Sequence, residues 1–124
     1  MEAQTIQKYM HTSPRKLRLV ASLVRKMEPV KALEALRFSN KDAGGDLIKA
    51  IKAVMANARI KGMENLSFKA IEVQEGPKMR RFRAGARGRA RPYKRKMSNI
   101  KIILTDEKGG EFEARNTKHE TNSK

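Results

Sequence analysis

Residues 78–96 read KMRRFRAGARGRARPYKRK and hold ten basic residues among nineteen. No aspartate or glutamate occurs from residue 76 to residue 105, so these cations have no counter-charge close by in the chain. Phe82 and Tyr93 are the only aromatic side chains in the stretch. A segment with this much repulsion and so few apolar groups cannot form a core of its own. The stretch therefore predicts an element that a polyanion neutralises, and nucleic acid is the polyanion it favours.

Two β-like runs flank the basic stretch. Residues 100–105 are rich in isoleucine and leucine, and residues 66–73 alternate between apolar and polar side chains. In the earlier run, four side chains are predicted to point inward: Leu66, Phe68, Ala70 and Val73. A strand on each side of a stretch that can turn predicts an antiparallel hairpin.

The turn of this hairpin is predicted from symmetry. If Val73 and Ile100 are paired, the midpoint of the connection falls between Ala86 and Arg87. That position lies within residues 85–88, whose glycines suit a turn. We therefore predict that both strands continue into one long hairpin with arms at residues 77–84 and 89–97. Roughly ten residues per arm, at ~3.3 Å each, would project it about 30 Å.

The first of three predicted helices begins at Ser13-Pro14. Serine can accept hydrogen bonds from the free N–H groups of a first turn, and proline suits the first helical position. At 100° per residue the apolar side chains fill one arc that is predicted to enter the core: Leu17, Leu19, Val20, Ala21, Leu23, Val24 and Met27. The basic side chains Arg15, Arg18, Arg25 and Lys26 gather on the opposite side, and Lys16 lies in the first turn.

Two further helices and an edge strand complete the prediction. Pro29 opens a short helix, and Ser39 followed by Asp42 suggests a capping box for a third helix. Gly44-Gly45 is expected to weaken the start of that third helix. Its apolar stripe is Ala43, Leu47, Ile48, Ile51, Val54, Met55 and Ala58, and that of the short helix is Val30, Leu33, Leu36 and Phe38. Residues 2–10 alternate loosely and predict an edge strand.

These elements predict an α+β fold, with three helices packed on a small three-stranded antiparallel sheet and a long, basic β-hairpin protruding from it. The 124 residues fit a single domain. Its globular part would comprise residues 1–76 and 98–106, its hairpin residues 77–97, and a disordered tail residues 107–124.

Composition narrows the class of function. The formal net charge is +16 and the isoelectric point about 10.6, and the basic stretch supplies ten of those charges. Cysteine is absent, which excludes disulfides and thiolate metal sites and fits a reducing compartment. Without a long apolar run or a signal peptide, we expect a cytoplasmic protein with no membrane partner.

Catalytic chemistry finds no support in the sequence. His11 and His119 are the only histidines, and they form no metal-binding or general-base pattern. Gly85 and Gly88 lack the spacing of a phosphate-binding loop. We therefore expect no enzyme activity, no cofactor, no metal and no small-molecule substrate.

The type of basic residue favours nucleic acid. Arginine outnumbers lysine seven to three in the stretch, and guanidinium groups bind phosphate bidentately and stack on bases. Three alternatives stay open on sequence alone. The basic face of the first helix is either an RNA contact or a solvated surface. The small residues near the turn either let the backbone come close to a partner or make the segment flexible. Phe82 and Tyr93 either stack on bases or pair with each other across the arms.

Several motifs, spaced in order along the chain, resemble the ribosomal protein L22 family of the large subunit, the universal uL22 type. They are SPRKLRLVA at residues 13–21, ANA at 56–58, EGP at 75–77, RFR at 81–83 and ARGRA at 86–90. The resemblance runs from about Met10 to Leu104, and the length resembles that of bacterial members. The sequence departs from the family at Ala84-Gly85, where members often have proline and a basic residue, at Gly44-Gly45, and in the tail after Thr105.

The resemblance implies a ribosome-bound protein that binds large-subunit rRNA, helps to assemble it, contacts neighbouring ribosomal proteins and lines the exit tunnel of the nascent peptide. In family members the hairpin tip also lies near the macrolide site. Carried onto this sequence, rRNA contact falls on Ser13, Arg15, Lys16, Arg18, Arg25, Lys26, Lys78, Arg80, Arg81, Arg83, Arg87, Arg89, Arg91, Lys94, Arg95 and Lys96. The tunnel-lining tip falls on Ala84, Gly85, Ala86, Arg87, Gly88, Arg89, Ala90 and Arg91.

A second class of function also fits a basic hairpin. An architectural or nucleoid-binding protein could insert a basic β-ribbon into a groove of duplex DNA. A module that binds acidic lipids fits less well, because it would need an apolar hairpin face and the stretch has only two aromatic residues.

Overall fold

The computed structural model describes residues 1–106 of the chain, so the predicted tail at residues 107–124 lies outside the described residues. Eight helices and strands follow one another in the described part, and a short 3₁₀ turn covers Ala86–Gly88. They are β1 (Glu2–Met10), α1 (Pro14–Val24), α2 (Pro29–Phe38), α3 (Asp42–Ile60), β2 (Ser67–Glu75), β3 (Met79–Ala84), β4 (Ala90–Arg95) and β5 (Ser98–Thr105).

The strands form two antiparallel sheets. The larger sheet has the order β1-β5-β2, so β1 is an edge strand as predicted. The smaller sheet is the hairpin of β3 and β4. Val73 is opposite Ile100, which confirms the pairing from which the turn was predicted. The α+β class and the three-stranded sheet with its basic hairpin are confirmed.

The core lies between the helices and one face of the larger sheet. α3 packs against β1 and β5, whereas α1 packs against β2. Five side chains of the predicted α3 stripe are buried, while Ile48 and Met55 are partly buried against the core. Fully buried aliphatic side chains such as Leu47 and Ile51 each contribute about 1.5–3 kcal/mol relative to exposure. The predicted stripe of α3 is therefore the part of this helix that enters the core.

The predicted core arc of α1 is too wide. Leu19 and Leu23 are 62% and 59% exposed, although both were expected in the core. α1 covers only β2 and the neighbouring helices, so a narrow stripe is buried: Leu17, Val20, Ala21 and Val24. In α2 the end residues Val30 and Phe38 are also exposed. Helical periodicity locates an apolar face, but the neighbour decides how much of that face is covered.

The helix starts differ from prediction in detail. Ser13 occupies the N-cap of α1 in an extended conformation, but its side chain makes no capping hydrogen bond. The capping box is wrong, because Ser39 ends α2 and Lys41 is the N-cap of α3. Gly44 is buried, and a Cβ atom there would lie 3.5 Å from the carbonyl oxygen of Leu36. That distance is an ordinary van der Waals contact, so the crossing of α2 and α3 has room for a Cβ atom at this position.

A β-bulge changes the inward set of β2. The register of β2 against β5 shifts between Phe68 and Ala70. Because a bulge adds one residue to a strand, it reverses the alternation that follows it. Phe68 and Ile71 are buried in consequence, whereas Ala70, which was predicted to point inward, is only partly buried.

Candidate nucleic-acid interface

The hairpin is a six-rung ladder. Its pairs run from Met79 opposite Arg95 to Ala84 opposite Ala90 without a shift. Six residues per arm span about 20 Å, which is shorter than the predicted 30 Å because the residues nearest the larger sheet are not paired in this ladder. Every residue of β4 is exposed, and so are all but Met79 in β3.

The register gives the hairpin two faces of different chemistry. Paired residues share a face and successive residues alternate between faces. One face, here called the arginine face, carries Met79, Arg81, Arg83, Arg91, Tyr93 and Arg95. The other, here called the small-residue face, carries Arg80, Phe82, Ala84, Ala90, Pro92 and Lys94. Cations therefore concentrate on one face, while the opposite face is apolar or small toward the tip.

The two aromatic residues do not pair with each other. Tyr93 lies on the arginine face, where the guanidinium of Arg83 is 5.0 Å from its ring centroid. This distance is typical of a cation–π contact. Phe82 lies on the small-residue face opposite Pro92 and is 72% exposed. Because the two residues lie on opposite faces of the hairpin, Phe82 and Tyr93 cannot pair across the arms. The exposed ring of Phe82 is accessible to a partner.

The tip is a closed loop. The N–H of Gly85 donates to the carbonyl oxygen of Arg89 over 2.6 Å. A Cβ atom on Gly85 would lie 2.9 Å from that same oxygen, so the loop requires glycine at this position. Arg87 and Gly88 have φ values of 59° and 69°, in the left-handed region. For the arginine that conformation costs about 1–2 kcal/mol, and the predicted turn at residues 85–88 is confirmed.

The hairpin is not a straight continuation of the larger sheet. Glu75 is opposite Ser98 and Met79 is opposite Arg95, so three residues connect one arm and two connect the other. At this irregularity the N–H of Gly76 donates to the carbonyl oxygen of Met97 over 2.8 Å. The extra residue divides the strands into two sheets, which corrects the prediction of continuous strands.

A polar network ties the hairpin base to the helices. The buried hydroxyl of Ser98 donates to the carbonyl oxygen of Thr12 over 2.8 Å, and the Thr12 hydroxyl donates to Asp46 over 2.6 Å. Sequence reasoning missed these residues, because isolated serine, threonine and aspartate residues carry no pattern.

Two predicted RNA contacts, one on α1 and one at its C-cap, already make hydrogen bonds within the fold. Arg18 and Arg25 donate to the carbonyl oxygens of Val73 and Ile71 over 3.2 and 2.9 Å. These carbonyls lie on the outer edge of β2, and an uncovered edge would be open to pairing with another chain. The side chains of Asn57 and Lys61 cover the outer edge of β1 in the same way. Arg15, Lys16 and Lys26 are exposed.

A cleft of about 440 Å³ brings α1 and the hairpin base together. Ser13 and Lys16 line it from α1, Lys41 and Asp42 from the start of α3, and Arg95 from the end of β4. Three of the predicted RNA-binding residues, Ser13, Lys16 and Arg95, thus share one site although they are far apart in sequence.

The described residues offer little for metal binding or acid–base chemistry. No group of three or more histidine, aspartate and glutamate side chains that could hold a metal occurs within residues 1–106. A hydrogen bond from Lys69 lowers the pKa of the exposed Glu2, which lies at the sheet end remote from the hairpin. None of the three helices in the described part has the length and apolar composition needed to cross a bilayer.

Comparison with known proteins identifies the family. A family model described as ribosomal protein L22p/L17e matches residues 5–105. Large ribosomal subunit protein uL22 of Syntrophus aciditrophicus is 42% identical over 115 residues, which cover 87% of this chain and all of that protein. The uL22 protein of Leptospira biflexa is 39% identical over 86% of this chain and 95% of its own length. That of Mycoplasma mycoides subsp. mycoides is 40% identical over 87% of this chain and all of its own length. The chain therefore belongs to the ribosomal protein L22p/L17e family.

Proposed function

We propose that this chain is a structural component of the large ribosomal subunit that binds large-subunit rRNA, supports rRNA assembly and lines the nascent-peptide tunnel with its hairpin tip. The uL22 relatives are named as large-subunit proteins, and they match this chain over nearly their whole length. The L22p/L17e family is a structural, non-enzymatic kind of protein, and we propose no catalytic role.

The observation that carries the proposal is the direct pairing of Arg83 with Arg91. Like charges directly opposite each other destabilise an antiparallel pair. Arg81 and Arg95 add charge to the same face, where Tyr93 is the one aromatic group. A partner that supplies regularly spaced negative charge would remove this repulsion, and an RNA backbone has that property.

The proposed rRNA contacts fall into three groups. The arginine face and the cationic loop residues Arg87 and Arg89 would neutralise phosphates along the hairpin. Arg80, Lys94, Lys78 and Lys96 would add charge at the sides and base of the arms. On α1 and at its two ends, four residues are exposed or partly exposed: Ser13, Arg15, Lys16 and Lys26. Arg18 and Arg25 would contact RNA only in addition to holding the edge of β2.

The tip at residues 84–91 is proposed to line the tunnel. Ala84, Gly85, Ala86, Gly88 and Ala90 keep this end of the hairpin narrow, which suits an element that must fit between rRNA and a passing peptide. Neighbouring ribosomal proteins and the nascent peptide are the further partners of this proposal. Exposed apolar residues on the globular part, such as Leu19, Leu23 and Phe38, are candidates for contact with neighbouring proteins.

Competition binding tests the proposal against the rival class. The chain is bound to labelled large-subunit rRNA and displaced with either unlabelled rRNA or random-sequence duplex DNA at the same salt concentration. We expect the rRNA to displace the probe at far lower concentration, and we expect the chain to sediment with large subunits. Equal displacement by duplex DNA, or preference for it, would support the architectural DNA-binding alternative instead.

A further inference from the structure

We propose that the cleft between the start of α1, the start of α3 and the end of β4 binds a backbone phosphate of RNA and thereby fixes the direction of the hairpin relative to the helices. The inference rests on the proposed function and adds to it a particular site that joins two parts of the fold. The site is the 440 Å³ cleft lined by Lys16, Lys41 and Arg95.

The charge of the cleft favours an anion. Its three cations come from three separate elements, and none of them forms a salt bridge with another described residue. Asp42 is the one carboxylate among the described residues of the lining. All three cationic residues are exposed. Their charges are therefore accessible to an anion from solvent and are not needed to neutralise a buried charge inside the fold. A cation-lined concavity raises the local concentration of anions.

The starts of two helices also lie at the cleft. Ser13 and Lys41 are the N-caps of α1 and α3, and neither side chain caps its helix in the described structure. Residues at both helix starts therefore line the cleft wall, although Pro14 contributes no N–H group to the first turn of α1. N–H groups at helix starts are suited to phosphate, but here they only supplement the cations, which define the site.

Continuity with the hairpin identifies the anion as RNA. Arg95 is both a wall of the cleft and the last residue of the arginine face. An RNA strand that follows Arg83, Arg91 and Arg95 toward the base of the hairpin would reach the cleft without leaving cationic surface. A free phosphate or a lipid headgroup would have no such connection to the arginine face.

The cleft also spans the irregular base of the hairpin. Arg95 directly precedes residues 96–97, which form one side of the connection between the two sheets. Lys16 and Lys41 belong to the helical part. A phosphate held by all three side chains would bridge from the hairpin to the helices across that connection. Binding at the cleft would therefore restrict the hairpin's direction as well as add affinity.

Salt-dependent binding to large-subunit rRNA tests the site. The cleft variant is Lys16→Gln/Lys41→Gln, and the matched control is Lys49→Gln/Lys52→Gln, which removes the same charge from exposed positions of α3 outside the cleft lining. Each lost phosphate contact should flatten the plot of log K against log salt by about 0.7 to 0.9. Because the cleft holds one phosphate, we expect the cleft variant to flatten the plot by about 0.7 to 0.9 and to weaken binding at least fivefold more than the control.

Distances between spin labels test the fixing of the hairpin. Because the chain has no cysteine, Ser22→Cys on α1 and Ala90→Cys near the tip provide two unique attachment points. On adding rRNA we expect the distance distribution to narrow in the labelled parent and to stay broad in the labelled cleft variant. Equal narrowing in both would overturn the inference that the cleft fixes the hairpin.

The two proposals fail in different ways. If the unmodified chain binds rRNA with a steep salt dependence but the cleft and control variants behave alike, the cleft inference is overturned and the proposed function stands. If the unmodified chain shows no preference for rRNA, the proposed function is overturned. Circular dichroism and thermal unfolding of all variants establish that changes in binding do not come from loss of the fold.

Discussion

Gly76 lies directly against the main chain of Met97. Its N–H donates to the Met97 carbonyl oxygen over 2.8 Å, and a Cβ atom on Gly76 would lie 3.1 Å from the Met97 carbonyl carbon and 3.2 Å from the nitrogen of Ser98. All of these neighbours are backbone atoms, which cannot rotate away as a side chain can. The contact lies at the junction of the two sheets, so the direction of the hairpin depends on the absence of a side chain at residue 76.

Gly76→Ala should destabilise the protein by about 1–3 kcal/mol, because the new methyl group is pressed against backbone that must shift. Gly45→Ala is the matched control. A Cβ atom there meets nothing within 4 Å, and Gly45 lies within α3, so this change should stabilise the fold by about 0.5–1 kcal/mol. Urea unfolding of both variants measures the difference, and effects of the same sign would contradict this account of the junction.

Arg25→Ala should lower the free energy of unfolding by about 1–3 kcal/mol, because it removes a charge-assisted hydrogen bond to the Ile71 carbonyl and uncovers the edge of β2. Arg15→Ala removes the same charge from an exposed position in the first turn of α1, and should change stability by less than about 0.5 kcal/mol. Chemical denaturation compares the two. Equal losses would mean that the edge contact contributes nothing measurable.

Deletion of residues 79–96, closed by a short turn, should leave a protein that still unfolds cooperatively. The buried core cluster contains no residue from this segment. Circular dichroism should retain the helical signal, and a thermal scan should show one transition. A truncated protein without a melting transition would show that the hairpin stabilises the core, contrary to its exposed side chains.

Binding to large-subunit rRNA should depend steeply on salt, with log K falling against log salt at a slope steeper than about −4 if six to ten phosphates are neutralised. Arg81→Gln/Arg83→Gln/Arg91→Gln should flatten this slope by about 2. The control Lys78→Gln/Arg80→Gln/Lys94→Gln removes the same charge without touching the arginine face and should flatten it less. A slope near −1 for the parent protein would refute the electrostatic mechanism.

The hairpin tip should become ordered when rRNA binds. In the free protein, the paired cations and the small contact area of a two-stranded ribbon make the arms marginal in water. Backbone order parameters at residues 85–88 should lie below about 0.6 without RNA and rise when it is added. Residues 47–54 of α3 serve as the rigid reference. A tip already as rigid as this helix, and unchanged by RNA, would exclude coupled ordering.

Local sequence was sufficient for the elements whose cause is local. The charge of residues 78–96 keeps that segment out of any core, and the glycines at 85 and 88 locate its turn. The supposed pairing of Val73 with Ile100, which the structure confirms, puts the middle of the connection at the same turn. The stripe of α3 was also predictable, because this helix is covered over most of its length and buries nearly its whole apolar face. The motifs at residues 13–21 and 86–90 are contiguous in the chain, so the resemblance to the family is visible in the amino-acid sequence itself.

The tertiary structure decided the features that depend on contacts between elements distant in the chain. Leu19 and Leu23 are exposed because α1 lies over one edge strand, and no periodicity within a helix records the width of the surface that covers it. The hydrogen bonds of Arg18 and Arg25 to the edge of β2 also depend on the tertiary structure, because their partners are carbonyls nearly fifty residues or more away in the chain. Lys16, Lys41 and Arg95 line one cleft only because the fold brings three distant segments together. Charge and turn chemistry act within a few residues and can be read from the sequence. The burial of a side chain, and the meeting of distant residues in one site, are set by long-range packing.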